Sequence, residues 1–189
     1  MPKKSNKKKS RVPATVTRKE LLTDGSDSEF REMVHHALAF ASRLPLIRDG
    51  YGRLLGLTGT EYTVLISVGH LEDEMDVGVK TLADHLMLTG AFLTTEVNKL
   101  VDKQLLKKVV NPRDKRRVIL TVTEKGADLL ATLAPLQQQV NDVHFGSLSK
   151  EEFEQLHALF PKIAESTEKA LSLLAHLTEN NSLKIEHKS

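Results

Sequence analysis

Large apolar residues return every three or four positions along most of this chain, and the period changes in only one place. Phe30, Val34, Leu38 and Ala41 mark a first amphipathic helix that Asp27 or Ser28 can cap. Pro45 has no amide hydrogen and is expected to kink or end it, and the glycine-punctuated residues 48–57 to hold a turn. Thr58-Gly-Thr-Glu61 has the spacing of a capping box and opens a second helix with Tyr62, Leu65, Ile66 and Val68 on its apolar side. After an acidic link at residues 72–76, Val79, Leu82, Ala83 and Leu86 define a short helix over about residues 79–87. A tight turn at 88–90 leads to another helix over about 90–102, whose inner stripe is Leu93, Val97, Leu100 and Val101.

Here the helical period gives way. Residues 106–110 and 118–123 are rich in β-branched residues and flank the turn-forming, charged segment 111–117, which predicts a hairpin with Pro112 outside the ladder. Helical spacing then resumes. Thr123 is placed to cap a helix over 124–145 carrying Leu129, Leu130, Leu133, Leu136, Val140 and Val143, with a bend at Pro135. Ser149-Lys-Glu-Glu152 is a second capping box. It opens a last helix over 150–177 with Phe153, Leu156, Leu159, Phe160, Ile163, Leu171 and Leu174, kinked at Pro161. The fold class is therefore mostly α with one small β-hairpin. Two short helices joined by a tight turn, followed by a hairpin, form a winged helix-turn-helix lobe between N- and C-terminal helices.

Composition narrows the chemistry. The 189 residues are 40% hydrophobic but only 4% aromatic, with no Trp, as suits a helical core of Leu, Val and Ala. The absence of Cys excludes disulfides, thiolate metal sites and thiol redox sensing. No apolar run approaches the roughly 18–20 residues of a membrane span, and no apolar segment follows the basic N-terminus, so the expected location is cytoplasmic and no membrane partner is expected. Net charge is only +2, yet Lys3, Lys4, Lys7, Lys8, Lys9, Arg11, Arg18 and Lys19 face a single acid, Glu20, within the first twenty residues. Such a stretch buries too little to offset its chain entropy. The expected organisation is a basic, disordered arm at 1–27, an N-terminal helix and link at 28–57, the winged lobe at 58–123, C-terminal helices at 124–178 and a frayed tail at 179–189.

The densest charge lies at the hairpin tip, where Arg113, Lys115, Arg116 and Arg117 crowd one turn with Asp114 among them. Phosphates would relieve their mutual repulsion, and a slender cationic tip suits a minor groove. Asp114 is placed to pair with one Arg and orient it. The plain alternative is a solvated turn, which the preceding helix-turn-helix pattern disfavours. On the second short helix, Thr89, Gly90, Ala91, Thr94, Thr95, Asn98 and Lys99 face outward, a set suited to base edges and phosphates or to an ordinary polar surface. Phe92 suits the core, the preferred placement, or an apolar contact in the groove.

Order and spacing together resemble the MarR family over roughly residues 28–177. Leu57-Thr-Gly-Thr-Glu-Tyr-Thr-Val-Leu65 is similar to its second helix and Leu82-Ala-Asp-His-Leu86 to the helix before recognition. Thr94, Val97 and Leu100-Val-Asp-Lys103 are similar to the recognition helix, Pro112-Arg-Asp-Lys-Arg-Arg117 to the wing with its D-x-R core, and Leu120-Thr-Val-Thr-Glu-Lys-Gly126 to the start of the fifth helix. Departures are Gln104 where the family usually has Gly, Lys108 for a common Arg, Ala91-Phe92 for a Ser/Thr pair, and Thr95 for an Arg. The resemblance implies Asp114 and Arg116 as the D-x-R pair, with Arg116 in the minor groove. It also implies a homodimer joined through its terminal helices, palindromic double-stranded DNA as partner, and repression relieved by a small molecule such as an aromatic acid or its thioester.

Arg43, Arg48, Tyr51, Arg53 and His70 lie in segments that can line such an effector pocket. Neither a cofactor nor a bound metal is implied. Two rivals remain. A metal sensor would draw on His35, His36, His70 and His144, but adjacent His residues diverge on a helix and no H-x-x-x-H pair occurs. An architectural DNA binder without effector would use the basic arm. An enzyme is not expected, since no phosphate loop, nucleophile elbow, H-E-x-x-H or dinucleotide fingerprint is present.

Overall fold

Both capping boxes read from the S/T-x-x-E spacing form. Thr58 Oγ1 accepts from the Glu61 amide at 3.1 Å while Glu61 Oε2 accepts from the Thr58 amide at 2.8 Å. Ser149 and Glu152 repeat the exchange at 3.2 and 2.8 Å. These caps fix the starts of two of the helices in the computed structural model, which describes residues 12–112 and 114–179. After a 3₁₀ turn at Lys19–Leu21, the elements are α1 (Ser28–Leu54), α2 (Gly59–Leu71), α3 (Val79–Leu86), α4 (Gly90–Asp102), β1 (Leu106–Val110), β2 (Val118–Val122), α5 (Glu124–Phe145) and α6 (Lys150–Glu179). The strands pair antiparallel from Leu106 opposite Val122 to Val110 opposite Val118.

The chain divides into two compact units with the boundary between Ala134 and Pro135, inside α5. The first unit holds the core. Tyr62, Val64, Leu65 and Val68 of α2, Leu82 of α3, Leu93, Val97 and Leu100 of α4, and Leu106 and Leu120 of the hairpin are all inaccessible to solvent or nearly so. Each such side chain contributes about 1.5–3 kcal/mol by leaving water. Helix α2 is the hub, packing against α1, α3, α4 and β2. Helix α1 belongs to this unit. In the second unit α6 buries none of its residues.

Two expectations need correction. Of the two outcomes expected at Pro45, an end is ruled out, since helix α1 continues to Leu54. Proline deletes one hydrogen bond, whereas the residues beyond it bring Tyr51 and Gly52 into the buried contact with α2; packing outweighs the local cost. Pro135 and Pro161 likewise lie inside α5 and α6.

The second concerns the arm. Part of it is ordered: Asp27 is buried, and its Oδ2 accepts from the Thr15 amide at 2.8 Å and the Thr15 hydroxyl at 3.0 Å. Asp27 therefore does not cap α1 with its side chain. The Thr15 amide, more than the nearby Arg31 charge, holds its pKa below the usual carboxylate value. The expectations for residues 1–11 and 180–189 lie outside the described residues.

Helix α4 ends where expected, in a left-handed turn at Gln104. Gln104 adopts φ +61°, with its amide on Val101 O at 2.9 Å and the Leu105 amide on Leu100 O at 2.9 Å. This is a Schellman turn, whose left-handed position favours glycine. Gln104→Gly is expected to stabilise the fold by about 0.5–1 kcal/mol, after the extra unfolded-state entropy of glycine is subtracted. The melting temperature should rise by about 1–4 °C, and a fall on thermal denaturation would contradict this geometry.

Candidate nucleic-acid interface

The turn between α3 and α4 is built by backbone geometry. Met87 takes φ +54° after α3, and the Leu88 amide reaches back to Ala83 O at 3.0 Å. Two residues later Thr89 caps α4, its hydroxyl accepting from the Phe92 amide at 3.3 Å. Leu93, Glu96, Val97 and Leu100 face inward. Thr89, Gly90, Ala91, Thr94, Thr95, Asn98 and Lys99 are all exposed, so the outward set expected from periodicity shares one surface. Phe92 joins them at 44% exposure, correcting its preferred placement in the core. One residue before the inner stripe begins, it falls on the flank of the helix.

Much of this surface is already engaged within the protein. The Thr94 hydroxyl donates to Gly90 O at 2.7 Å and that of Thr95 to Ala91 O at 3.3 Å. Asn98 Oδ1 accepts from Lys108 Nζ at 2.6 Å. Lys99 Nζ lies 2.7 Å from the buried Glu96 carboxylate, whose hydrogen bond raises the lysine pKa. Lys103 Nζ contacts both oxygens of buried Glu61, at 2.7 and 2.9 Å. Burial alone would raise the Glu61 pKa, but the bonds from Lys103 and the Thr58 amide outweigh it and hold the carboxyl below its usual value. Glu61 was legible in the sequence only as half of a capping box; that it also clamps the far end of α4 was not.

The hairpin is seated by the acidic link. Leu120 donates its amide to Val77 O at 2.8 Å, Val122 to Glu72 Oε2 at 3.0 Å, and buried Asn111 its side-chain amide to Asp76 Oδ2 at 3.0 Å. At the tip, Asp114 Oδ1 accepts from the Arg116 amide at 3.0 Å, and Arg117 N bonds Asp114 O at 2.9 Å. Asp114 thus folds the turn through backbone, and among the described residues it pairs with no guanidinium, since a short acidic side chain reaches the amide two residues on most readily. Asp114, Lys115, Arg116 and Arg117 are exposed, and among the described residues the three cations have no acidic partner. Arg113 lies outside the described residues.

Of the residues expected around an effector, the structure gathers two. Tyr51 meets Tyr62 edge-on with ring centroids 5.4 Å apart, and the Arg48 guanidinium lies 5.5 Å from the Tyr62 centroid. Tyr62 had been read only as core. It is fully buried, its hydroxyl has no partner of full hydrogen-bond geometry among the described residues, and burial raises its pKa against the opposing charge and hydrogen bonding of Arg48. Arg43, Arg53 and His70 are exposed, and Arg43 Nη1 bonds its own helix at Ala39 O, 2.8 Å away. No group of three or more His, Asp or Glu among the described residues is arranged to hold a metal. No described helix is long and apolar enough to cross a membrane.

A helix-turn-helix with an exposed second helix, followed by a cationic hairpin tip, defines a winged-helix DNA-binding protein. The MarR family profile matches residues 55–117. The HTH-type transcriptional regulator MhqR of Bacillus subtilis (strain 168) is 31% identical over 108 residues, covering 57% of this chain and 72% of that protein. The chain spans 59% and 47% of the length of two further regulators it matches. A MarR/EmrR family transcriptional regulator from Acinetobacter sp. ADP1 shares the fold with a TM-score of 0.62 at 22% identity, over 74% of this chain and 96% of that one. A DNA complex of S. aureus MepR aligns with a TM-score of 0.56 at 19% identity, over 79% and 99%. The chain belongs to the MarR family and is a DNA-binding transcriptional regulator.

Proposed function

We propose that this protein is a cytoplasmic homodimeric repressor that binds palindromic operator DNA and is released by a small aromatic effector. The observation that carries the DNA-binding mode is the wing tip, where Lys115, Arg116 and Arg117 stand exposed with no acidic partner among the described residues while Asp114 sets the turn. In this reading α4 enters the major groove, and Arg116 reaches the adjoining minor groove, where negative potential is concentrated. The basic arm adds phosphate contacts.

Dimerisation is supported by the apolar faces that a single chain leaves in water. Along α6, Phe153, Phe160, Ile163, Leu171 and Leu174 are each about half exposed, and Leu38 and Leu46 of α1 are 62% and 64% exposed. Apolar surface on this scale ordinarily marks an interface. A two-fold axis would present two copies of α4 to successive major grooves roughly 34–36 Å apart. Sedimentation at micromolar concentration is expected to show a dimer; a monomer would overturn this arrangement.

The effector reading rests on Arg48, Tyr51 and Tyr62. A cation beside two buried tyrosine rings has the chemistry to take a small aromatic anion, which would act through its unequal affinity for the bound and released forms.

Selection of genomic fragments at physiological salt, followed by sequencing, tests the whole reading. One palindromic motif is expected; fragments with no shared motif would favour an architectural protein instead. On the recovered operator, Arg116→Ala is expected to weaken binding by about 1–3 kcal/mol. Unchanged affinity at matched salt would remove Arg116 from the interface.

A further inference from the structure

We infer that α4 reads its operator chiefly through the 5-methyl groups of thymine, with the Phe92 ring as the principal contact. This rests on the proposed docking of α4 in the major groove and deepens it. Four observations converge. Phe92 is a large aromatic side chain in the first turn of α4, and 44% of it is exposed although the inner stripe beside it is inaccessible. Thr95, three residues on, lies beside it and carries a methyl group, as do Ala91 and Thr94 elsewhere on the exposed surface of the helix.

The Thr94 and Thr95 hydroxyl hydrogens are already given to Gly90 O and Ala91 O. Those side chains therefore present methyls and acceptor lone pairs, not donors, to whatever approaches. Finally, no Arg, Asn or Gln stands in the first two turns to grip a purine edge in a bidentate manner. Asn98, one turn further on, has its carbonyl oxygen held by Lys108.

A surface with this chemistry discriminates weakly by hydrogen bonding but can shed water against an apolar base substituent. In the major groove the thymine methyl is that substituent. The cations beside the helix suit the surrounding phosphates: Lys107 and Lys108 are exposed on β1, and Lys108 is tethered directly to α4. The exposed surface of α4 thus carries ring and methyl carbons with cations nearby, as a methyl-bearing groove floor between charged phosphates would call for.

The test replaces each thymine of the selected operator in turn with deoxyuridine, which removes one methyl and leaves base pairing intact. Binding is measured by fluorescence anisotropy at fixed salt. The full-length wild-type protein is expected to lose about fourfold in affinity at one or more positions of each half-site, the value of one buried methyl. Phe92→Ala is expected to bind the all-thymine operator more weakly and to lose the uridine penalty at one of those positions at least. Phe92→Leu, which keeps an apolar contact, should retain most of both.

If uridine has no effect at any position, or the same penalties persist in Phe92→Ala, the inference is overturned while specific DNA binding stands. If no operator motif is recovered at all, the docking of α4 fails and the inference with it. Melting curves of both variants, expected to match wild type because the ring is substantially exposed, separate loss of contact from loss of fold.

Discussion

Gly126→Ala is expected to destabilise the protein by about 3 kcal/mol and lower its melting temperature by about 6–12 °C. Gly126 sits in the first turn of α5, where three elements converge. Thr123 caps the helix by accepting from the Gly126 amide at 3.0 Å; its own amide bonds Leu105 O at 3.1 Å, and its hydroxyl donates to Gln104 O at 2.7 Å with Leu105 O 3.2 Å away. A Cβ at position 126 would collide with that same Leu105 carbonyl oxygen and stand 2.9 Å from Val122 Cγ1. The carbonyl cannot swing aside without releasing Thr123, and Val122 is held by its amide bond to Glu72. The first turn of α5 must therefore move away from the hairpin. Thermal denaturation checks this directly, and a melting temperature within a degree of wild type would show that the junction is not close-packed.

Glu61→Ala is expected to cost a similar amount, about 3 kcal/mol. It removes a reciprocal cap worth about 1 kcal/mol and charge-assisted bonds to Lys103 worth about 1.5–3 kcal/mol. The lysine, partly exposed, recovers some hydration. Glu61→Gln keeps the shape and removes the charge, so it exposes a pH dependence. Because the folded carboxyl titrates below its ordinary value, its contribution is full above the ordinary glutamate pKa. The contribution fades as pH falls through the depressed folded value. Asp27 is shifted in the same direction, so the informative quantity is the difference between wild type and Glu61→Gln. That difference should shrink on acidification through the carboxylate range. A gap independent of pH would show that the Glu61 charge contributes nothing to stability.

Local signals were the most legible part of this chain. The two capping boxes, the hairpin and the bounds of α4 follow from short-range spacing, which hydrogen-bonding rules constrain tightly. What escaped prediction depended on partners distant in sequence. Pro45 does not end α1, because burial against α2 decides that segment. The Asp27–Thr15 clasp spans twelve positions with no pattern to announce it. Phe92 was assigned inward by its hydrophobicity, yet its position in α4 turns it away from the stripe at Leu93, Glu96 and Val97. Tyr62 was hidden by the opposite error, since an apolar period cannot show that a hydroxyl in the core lacks a partner of full hydrogen-bond geometry among the described residues. Of the residues expected around an effector, only Arg48 and Tyr51 meet near Tyr62; flexible exposed cations such as Arg43 and Arg53 leave no spacing signal that fixes where they point.

Left-handed residues bracket α4, Met87 two positions before its cap and Gln104 two beyond its last residue. Both helix ends are thus set by backbone turns, and its depth by an inner stripe and the Glu61–Lys103 clamp. None of these depends on the identity of residues 91, 92, 94 or 95. The outward face behaves as an exchangeable cartridge in a fixed holder. In the proposed docking, exchanging these side chains is therefore expected to change the operator while leaving the fold intact.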